Sequence, residues 1–460
     1  MSHILIIGGS DAGISAALRA KEIDPAVMVT VVVADNYPNY SICGLPFYLS
    51  GEVPDWHDLA HRTQADIERA GIHLLLNQTA KSIDPQGKRV STRDQSGSVT
   101  ALSYDKLVIG TGAVSVRPRI GGLALPGVYP MRWMADALAV EQYLVEREPQ
   151  SAVIIGGGYI GLEMADALTR RGLKVTVVEY FPSVLNTVDP AFGHSVQEEL
   201  ERHGMRVVTG ITVERIEQQG NTLAVMGSHD FRADADLVLY ATGVHPSTAL
   251  AESAGVAMGV RGALRVNRAM ETNIPDIYAA GDCVETWHRL LLTNTYLPLG
   301  TTAHKQGRVA GENAAGGHRK FAGSLGTQVV KVCDLVVAAT GLREREATQA
   351  GFDPLEVETA AWDHKVYYPG AQTLQIRING DRQTGRLLGA QMIGHRHAEI
   401  AKRIDVVAAA MTAEMTVDAL MDLDLSYTPP LGTPWDAIQV SAQAWMNTKS
   451  RMPDKGEHHA

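Results

Sequence analysis

The chain has 460 residues, 45% of them hydrophobic and 20% charged, with a formal net charge of −10. This balance is typical of a globular protein and excludes a disordered or collagen-like chain. The excess of acid argues against partners such as nucleic acid or an anionic membrane, and no apolar run reaches the roughly 18 residues of a membrane span. The N-terminus lacks the features of a signal peptide. The three cysteines form neither a disulfide framework nor a zinc motif. We therefore expect a cytoplasmic protein of about three domains with no metal site.

A glycine-rich turn follows the first apolar run of the chain. His3–Ile7 precedes Gly8, Gly9 and Gly13, which lead into an alanine-rich helical stretch, and a second apolar strand ends at Asp35. The first glycine permits a tight turn, the next lets backbone N–H groups approach a pyrophosphate, and the last permits close contact between helix and strand. An acid about 20 residues further on binds a ribose. The pattern predicts a dinucleotide site.

The same plan recurs in the middle of the chain. An apolar run precedes Gly156, Gly158 and Gly161, and the next apolar strand ends at Glu179. Two matches, each with strand, glycine turn, helix and acid in register, predict two dinucleotides. Two dinucleotides in one chain indicate a flavoprotein that takes hydride from a nicotinamide nucleotide.

The later elements complete the predicted fold class, which is α/β with two Rossmann-like dinucleotide-binding domains and a C-terminal α+β domain. Strands close on Thr111-Gly112 and again on Thr242-Gly243, and a further buried strand ends at Asp282. After Gly323 the pattern changes to long alternating strands and one helix. These are predicted over Val329–Thr340, Thr373–Asn379, Leu387–Ile393 and Glu399–Met411.

With these motifs the chain resembles the flavin- and pyridine-nucleotide-dependent disulfide oxidoreductases over nearly all of its length. It is most similar to their single-cysteine branch, which contains coenzyme A disulfide reductase, NADH oxidase and NADH peroxidase. The other motifs that carry the resemblance are Ser41–Tyr48, Asn273–Asp282, Tyr367–Gly370, Tyr427–Pro430 and Thr433-Pro434. The resemblance implies an FAD-binding domain (1–118 and 246–322), an NAD(P)H-binding domain (119–245), a dimerisation domain (323–450) and a tail (451–460).

The resemblance also implies which residues bind the two cofactors. Those expected to bind FAD are Gly8, Gly9, Gly13, Asp35, Thr111, Gly112 and Asp282. Those expected to bind the nicotinamide nucleotide are Gly156, Gly158, Tyr159, Gly161, Glu163, Glu179 and Gly243. The ring of Tyr159 is expected to move off the flavin when the nicotinamide binds. Glu163 is expected to be the acid beneath the flavin ring. Glu179 favours NADH over NADPH, because a carboxylate binds the ribose 2′-OH and repels a 2′-phosphate.

Cys43 is the candidate redox centre. It precedes a predicted helix start with Pro46 in the first turn, and a helix N-terminus favours a thiolate. Relatives similar to glutathione reductase have a second cysteine five residues later, where this chain has Tyr48. Cys283 and Cys333 lie in other segments and are expected to be structural. The oxidised form of Cys43 is therefore expected to be a mixed disulfide with a small thiol or a sulfenic acid.

The resemblance further implies residues that handle the substrate. Tyrosines of the partner subunit are expected to stabilise the leaving thiol, and three cations are expected to bind the phosphates of coenzyme A. The matching residues are Tyr367, Tyr368 and Tyr427 for the first role and Arg19, Lys21 and Arg62 for the second. Asp11 stands where the oxidases and peroxidases have a histidine, and a buried carboxylate there is a candidate proton carrier.

Three functions follow from this pattern. The first is a homodimeric FAD-dependent NAD(P)H reductase of a low-molecular-weight disulfide or persulfide, with coenzyme A disulfide as the default substrate and an active site shared between subunits. The second is an NADH oxidase or peroxidase that cycles through a Cys43 sulfenic acid. The third is a binding protein that responds to the redox state of its flavin.

Overall fold

A computed structural model describes residues 2–452, and the chain forms two compact units. Unit 1 combines residues 2–149 with 236–324, and unit 2 combines residues 150–235 with 325–452. Most of the predicted tail, 451–460, lies outside the described residues. Within these residues no helix is both long enough and apolar enough to cross a membrane.

The helices and strands follow in chain order. Residues 2–149 form β1 (His3–Ile7), α1 (Asp11–Ile23), β2 (Met28–Val32), α2 (Leu45–Leu49), α3 (Gln64–Arg69), β3 (Ile72–Leu75), β4 (Thr79–Asp84), β5 (Arg89–Arg93), β6 (Val99–Ser103), β7 (Lys106–Ile109), β8 (Ala113–Ser115), β9 (Val128–Pro130) and α4 (Met134–Arg147). Residues 150–235 form β10 (Ser151–Ile155), α5 (Tyr159–Arg170), β11 (Lys174–Val178), α6 (Pro190–Arg202), β12 (Arg206–Val208), β13 (Val213–Gln219), β14 (Thr222–Gly227) and β15 (Phe231–Ala235). Residues 236–324 form β16 (Leu237–Tyr240), β17 (Val244–Pro246), α7 (Ala249–Ser253), β18 (Ile277–Ala279), β19 (Thr286–His288), β20 (Thr293–Thr295) and α8 (Gly300–Ala314). Residues 325–452 form β21 (Gln328–Val332), β22 (Leu335–Gly341), α9 (Glu344–Gln349), β23 (Pro354–Trp362), β24 (Thr373–Asp381), β25 (Leu387–His395), α10 (Ile400–Thr412), α11 (Val417–Met421) and α12 (Ala437–Ser450).

Unit 1 is built on a five-stranded parallel sheet in the order β18-β7-β1-β2-β3. Its central strands β1 and β7 are apolar and buried after their first residues, His3 and Lys106, as expected for parallel strands covered on both faces. Helices α1 and α8 lie so close together that a side chain on Gly307 or Gly311 would collide with the backbone of Ala12 or Ala16. The glycines of α8 therefore permit this close contact between the two helices.

Unit 2 contains the second glycine turn and the C-terminal sheet. Strands β12, β11 and β10 pair in parallel, and the antiparallel strands β13, β14 and β15 form a separate sheet. The C-terminal strands form an antiparallel sheet in the order β21-β22-β25-β24-β23. Helix α12 anchors on this sheet through the buried Trp445, whose Nε1 donates to the carbonyl of Leu355 at 2.7 Å.

One predicted strand is wrong. The run Val329–Thr340 is a hairpin of β21 and β22, and Cys333 lies in its turn instead of in mid-strand. Cys333 takes a positive φ of 53°, which reverses the chain direction without a glycine. The run holds no Gly or Pro, the two residues that most strongly indicate a turn. The other strands and the helix predicted after Gly323 lie within one or two residues of β24, β25 and α10.

Candidate active site

The first glycine turn has a geometry that only glycine allows. Gly8 has a φ of +117°, and a Cβ there would lie 2.1 Å from the carbonyl oxygen of Gly110. A Cβ on Gly13 would lie 1.8 Å from the carbonyl oxygen of Gly8. Helix α1 begins directly after the turn, and Ser10, its N-cap, makes no side-chain capping bond. The turn therefore presents backbone amides at a positive helix end, where a pyrophosphate binds.

The acid that follows this turn lies beyond the end of β2. Asp35 is partly exposed, and its carboxylate accepts a hydrogen bond from the amide of Tyr37 at 2.9 Å. The neighbouring Gly9 packs against Val33, where a Cβ would lie 2.6 Å from a methyl carbon. This glycine thus brings the turn close to β2, on the side where Asp35 follows.

The second turn repeats this geometry at the start of α5. Gly156 has a φ of +114°, and a Cβ on Gly161 would lie 1.9 Å from the carbonyl oxygen of Gly156. Gly158, the N-cap of α5, is different, because a Cβ there would meet no protein atom within 4 Å. The protein leaves this space open at the helix N-terminus. The arrangement fits a bound phosphate.

Glu179 lies against the second turn. Its carboxylate accepts hydrogen bonds from the amides of Gly157 at 2.5 Å and Phe181 at 2.8 Å. The side chain is buried, and both bonds fix its direction. The acid predicted from sequence spacing is therefore held beside the glycines.

Two residues at the start of α5 were expected to lie near a flavin. Tyr159 is the first residue of the helix, and its hydroxyl accepts a hydrogen bond from Thr187 at 3.2 Å. Burial raises the pKa of Tyr159 above the usual tyrosine range. Burial also raises the pKa of Glu163 to about 7, with the ammonium of Lys331 opposing the rise. Glu163 is thus a carboxyl group that titrates near neutral pH.

Asp282 belongs to a polar cluster at the end of β18. Its carboxylate pairs with the guanidinium of Arg132 at 2.9 Å, and its carbonyl accepts from the hydroxyl of Tyr296 at 3.0 Å. Arg132 Nε is buried without a hydrogen-bond partner among the described residues. An unsatisfied buried donor beside a carboxylate fits a site that a polar ligand completes. Arg132 belongs to none of the sequence motifs described above.

Thr111, Gly112 and Gly243 connect neighbouring turns of unit 1. The hydroxyl of Thr111 donates to the carbonyl of Ser247 at 2.6 Å, and the amide of Ser247 donates to Gly112. Gly243 has a φ of +101° and accepts from the amide of Val116 at 2.9 Å. These hydrogen bonds hold the turns that follow β7 and β16, at the two Thr-Gly motifs of the sequence.

Cys43 lies in a 3-10 turn, Ile42–Gly44, directly before α2. Its side chain is exposed, whereas Cys283 and Cys333 are buried, and none of the three forms a disulfide. The preceding residues pair with a second segment, since the amide of Ser41 donates to Leu59 at 2.8 Å and that of His61 donates to Asn39 at 3.0 Å. This pairing holds the exposed thiol on an ordered turn.

Asp11, the first residue of α1, pairs with His304, a histidine that lies outside the sequence motifs. His304 of α8 places Nε2 3.4 Å from the carboxylate of Asp11, and Ser15 lies 2.8 Å from its Nδ1. The ring of His61 lies 6.2 Å from that of His304. Burial raises the pKa of Asp11, and the two histidines oppose the rise. Ser15 and His304 are 289 positions apart, so no local motif indicated this contact.

The three cations expected to bind coenzyme A have different surroundings. Arg19 pairs with Glu312 at 2.6 Å and Glu22 at 2.8 Å. The ammonium of Lys21 donates to the carbonyls of Val27 and Pro25. Arg19 and Lys21 therefore already have partners within unit 1. Arg62 is exposed, shortly before α3.

The two tyrosine motifs come together in unit 2. Desolvation raises the pKa of Tyr427, and a hydrogen bond between its hydroxyl and that of Tyr367 also raises it. The amide of Lys365 donates to the carbonyl of Pro429 at 3.3 Å and joins the two loops. Tyr367 is 70% exposed, and Tyr368 stacks edge-on against His364 at a centroid distance of 5.8 Å. Trp435 is exposed as well.

These features define a class of protein with two dinucleotide-binding domains and a C-terminal α+β domain. The chain belongs to the pyridine nucleotide-disulphide oxidoreductase family, whose sequence profile matches residues 2–307. The dimerisation-domain profile of the same family matches residues 327–437. The protein is therefore an NAD(P)H-dependent flavoprotein oxidoreductase, which confirms the predicted family and fold class.

Relatives in the family cover nearly the whole chain. An NAD(P)H sulfur oxidoreductase (CoA-dependent) of Pyrococcus abyssi is 36% identical over 442 residues, which are 96% of this chain and 97% of the relative. An NADH oxidase of Methanocaldococcus jannaschii is 32% identical over 441 residues, which are 95% of this chain and 97% of the relative. The solved structure of an NAD-dependent persulfide reductase from A. fulgidus superposes with a TM-score of 0.93 at 36% identity, covering 97% of this chain and 83% of that one.

Proposed function

We propose that this enzyme reduces a small disulfide or persulfide, with coenzyme A as the carrier thiol, through Cys43. The observation that carries the proposal is the exposed Cys43, which stands on an ordered turn and outside any disulfide. Its oxidised form must then be completed by a group from outside the chain. The relatives named for CoA-dependent sulfur reduction and for persulfide reduction support a small thiol in that role.

The cofactors fit the geometry of the two glycine turns. We assign FAD to the turn at Gly8 and Gly13 together with Asp35, Asp282 and its partner Arg132. The nicotinamide nucleotide belongs at the second turn, which has open space at Gly158. When bound, these two cofactors supply the electron pair that returns the mixed disulfide to one thiol and the Cys43 thiolate.

The chemistry at Cys43 is thiol–disulfide exchange. The Cys43 thiolate attacks one sulfur of R–S–S–R, forms Cys43–S–S–R and expels RS⁻. With a persulfide R–S–SH, attack at the sulfur next to R forms the same mixed disulfide and expels hydrosulfide. Each disulfide consumed yields two thiols after the mixed disulfide is reduced.

The proton balance assigns roles to the polar residues. The leaving thiolate needs a proton, and the hydroxyls of Tyr367 and Tyr427 are exposed donors that already share a hydrogen bond. We assign them to the site of the partner subunit in a homodimer. Asp11, whose carboxyl has a raised pKa and contacts His304, is assigned as a proton carrier.

We propose NADH as the preferred reductant. Glu179 is held beside the second turn by two backbone amides, and a carboxylate in this position repels a 2′-phosphate. We expect Glu179→Gln to lower the ratio of kcat/KM for NADH to kcat/KM for NADPH, as measured by steady-state kinetics.

The cytoplasm is the proposed location of the enzyme, because three thiols outside any disulfide fit a reducing compartment.

Anaerobic turnover separates this proposal from an oxidase. We expect the purified enzyme to consume NADH without oxygen when coenzyme A disulfide is added and to release two thiols for each NADH. Cys43→Ser should abolish this turnover, while Cys283→Ser, which changes a buried thiol, serves as the control. If NADH is consumed only after oxygen is admitted, the result contradicts the reductase and supports the oxidase.

The intact mass of the freshly purified protein identifies the thiol. An adduct that reductant removes, and that Cys43→Ser lacks, would have the mass of the carrier. A mass increase of one oxygen at Cys43 would instead indicate a sulfenic acid and the oxidase. Biological activity that survives in Cys43→Ser would favour the redox-responsive binding protein.

A further inference from the structure

A second group of metal-ligating side chains lies in unit 2. Glu199 lies in the last turn of α6, and His203 is the C-cap of this helix, four residues later. Cys333 lies in the turn between β21 and β22. One ligand atom from each of the three residues lies within 4.8 Å of the other two. The family match and the proposed function give these residues no role.

The surroundings orient each of these side chains. His203 Nδ1 lies 3.0 Å from the carbonyl oxygen of Glu199 and 3.5 Å from its carboxylate, so the imidazole lies against Glu199. Nε2 lies 3.6 Å from the carboxylate of Asp334, the residue after Cys333. The amide of Asp334 donates to the carboxylate of Glu199 at 2.9 Å. The end of α6 and the hairpin turn therefore meet at Glu199, His203 and Cys333, which each offer one ligand atom.

Burial makes this group unlike an ordinary surface ion pair. Glu199 and Cys333 are each 1% exposed, while His203 is open to solvent on one side. Arg202 contacts the outer oxygen of Glu199 and compensates part of its charge. A thiol, an imidazole and a carboxylate at this spacing form the mixed sulfur, nitrogen and oxygen set that suits Zn²⁺. Contraction to the roughly 3.5 Å between ligands of a tetrahedral zinc site needs movement of only about 1 Å.

We propose that Glu199, His203 and Cys333 form a Zn²⁺ site that ties α6 to the β21–β22 turn, with water as the fourth ligand. Binding replaces the thiol proton of Cys333 with the metal and releases that proton to solvent. The site is reached from the exposed side of His203. Bound zinc is expected to stabilise unit 2, because the metal joins two segments that are distant in sequence.

The proton release has a chemical cause. The thiolate, and not the thiol, binds Zn²⁺, so the Cys333 proton must leave when the metal binds. Zinc affinity should therefore rise with pH, since the proton and the metal compete for the same sulfur.

Titration with ZnCl₂ alone tests the site. The FAD-loaded protein, without a histidine tag and with Cys43→Ser to remove the exposed thiol, is titrated by calorimetry in two buffers of different ionisation enthalpy. We expect one saturable equivalent per chain, close to one proton released, and a rise in melting temperature. His203→Ala, which changes an exposed side chain, should weaken zinc binding at least tenfold.

A matched variant on the same helix provides the control. His194 forms an exposed pair with Glu198 at the same four-residue spacing, but within residues 2–452 it belongs to no group of three candidate metal ligands. His194→Ala should leave zinc binding unchanged. Co²⁺ should give a thiolate charge-transfer band that Cys333→Ser lacks. The proposal is overturned if the parent shows no saturable binding, or if His203→Ala binds zinc as tightly as the parent does.

Discussion

At the scale of single residues, the pair of Asp11 and His304 gives this protein a titratable group at the start of α1. The carboxyl is partly buried, and a histidine from α8 faces it at 3.4 Å. Burial favours the neutral acid and the histidine favours the carboxylate, so the two effects on the pKa of Asp11 oppose each other. Burial has the larger effect, so the pKa of Asp11 is raised.

This pair makes a prediction about the pH profile. Asp11→Asn should lower kcat for disulfide turnover by about ten- to a hundredfold and remove one ionisation from the profile. His304→Asn should move that ionisation to higher pH, because it removes a positive neighbour. Asp24→Asn, at the opposite end of α1, is the control. A profile that is the same in Asp11→Asn and in the parent would contradict a role in proton transfer.

Glu163 makes a second prediction, which concerns stability. Its pKa rises to about 7 on folding, so the folded state binds the proton more tightly than the unfolded state does. The resulting stabilisation is complete below about pH 4.5 and is lost as the pH rises through about 7. Glu163→Gln removes this dependence. The free energy of unfolding of Glu163→Gln minus that of the parent should therefore be larger at pH 8 than at pH 5, by on the order of 2 kcal/mol.

Urea unfolding followed by circular dichroism at several pH values measures this difference. Glu201→Gln, which changes an exposed acid near the end of α6, is the matched control and should show no such trend. A constant difference between Glu163→Gln and the parent across this range would show that Glu163 titrates normally.

At the scale of elements, the contact between α1 and α8 depends on glycine. A Cβ on Gly311 would lie 2.1 Å from the carbonyl oxygen of Ala16, a backbone atom that no side-chain rotation can move away. Gly311→Ala should destabilise unit 1 by at least about 2 kcal/mol, since the helices must separate. Urea unfolding and the bound flavin content measure the effect. Gly432→Ala, where a Cβ meets nothing within 4 Å, should change stability by less than about 0.5 kcal/mol.

The elements also show what the sequence could and could not predict. The glycine turns and Glu179 were predictable because their geometry depends on residues close together in the chain. The contacts of Asp11 with His304 and of Tyr367 with Tyr427 form only when distant segments pack, and no local pattern encodes them. The turn at Cys333 was missed for another reason, because it reverses the chain with a left-handed residue that is not glycine.

At the scale of the whole molecule, the dimerisation-domain match and the exposed tyrosines lead to a prediction about subunits. Mixed dimers can be assembled from chains carrying Cys43→Ser and chains carrying both Tyr367→Phe and Tyr427→Phe. If the active site is shared, one site in each mixed dimer combines an intact cysteine with intact tyrosines. We expect disulfide reduction by the mixture to exceed that of either variant alone.

The measurement is the anaerobic rate after the variants are unfolded, mixed and refolded with FAD. The same variants refolded separately and then combined without exchange are the control. Activity in the mixture no higher than the average of the two variants would place cysteine and tyrosines in the same subunit.

The interleaved order of the two units has a consequence for synthesis on the ribosome. Strand β18, which covers the edge of β7, emerges only after the whole of residues 150–235, and α12 with its buried Trp445 emerges near the end. A nascent chain therefore carries an uncovered strand edge and two half-built cores for much of translation. A chain released early, before residue 277, could complete neither core, so both halves of the enzyme depend on translation reaching its late segments.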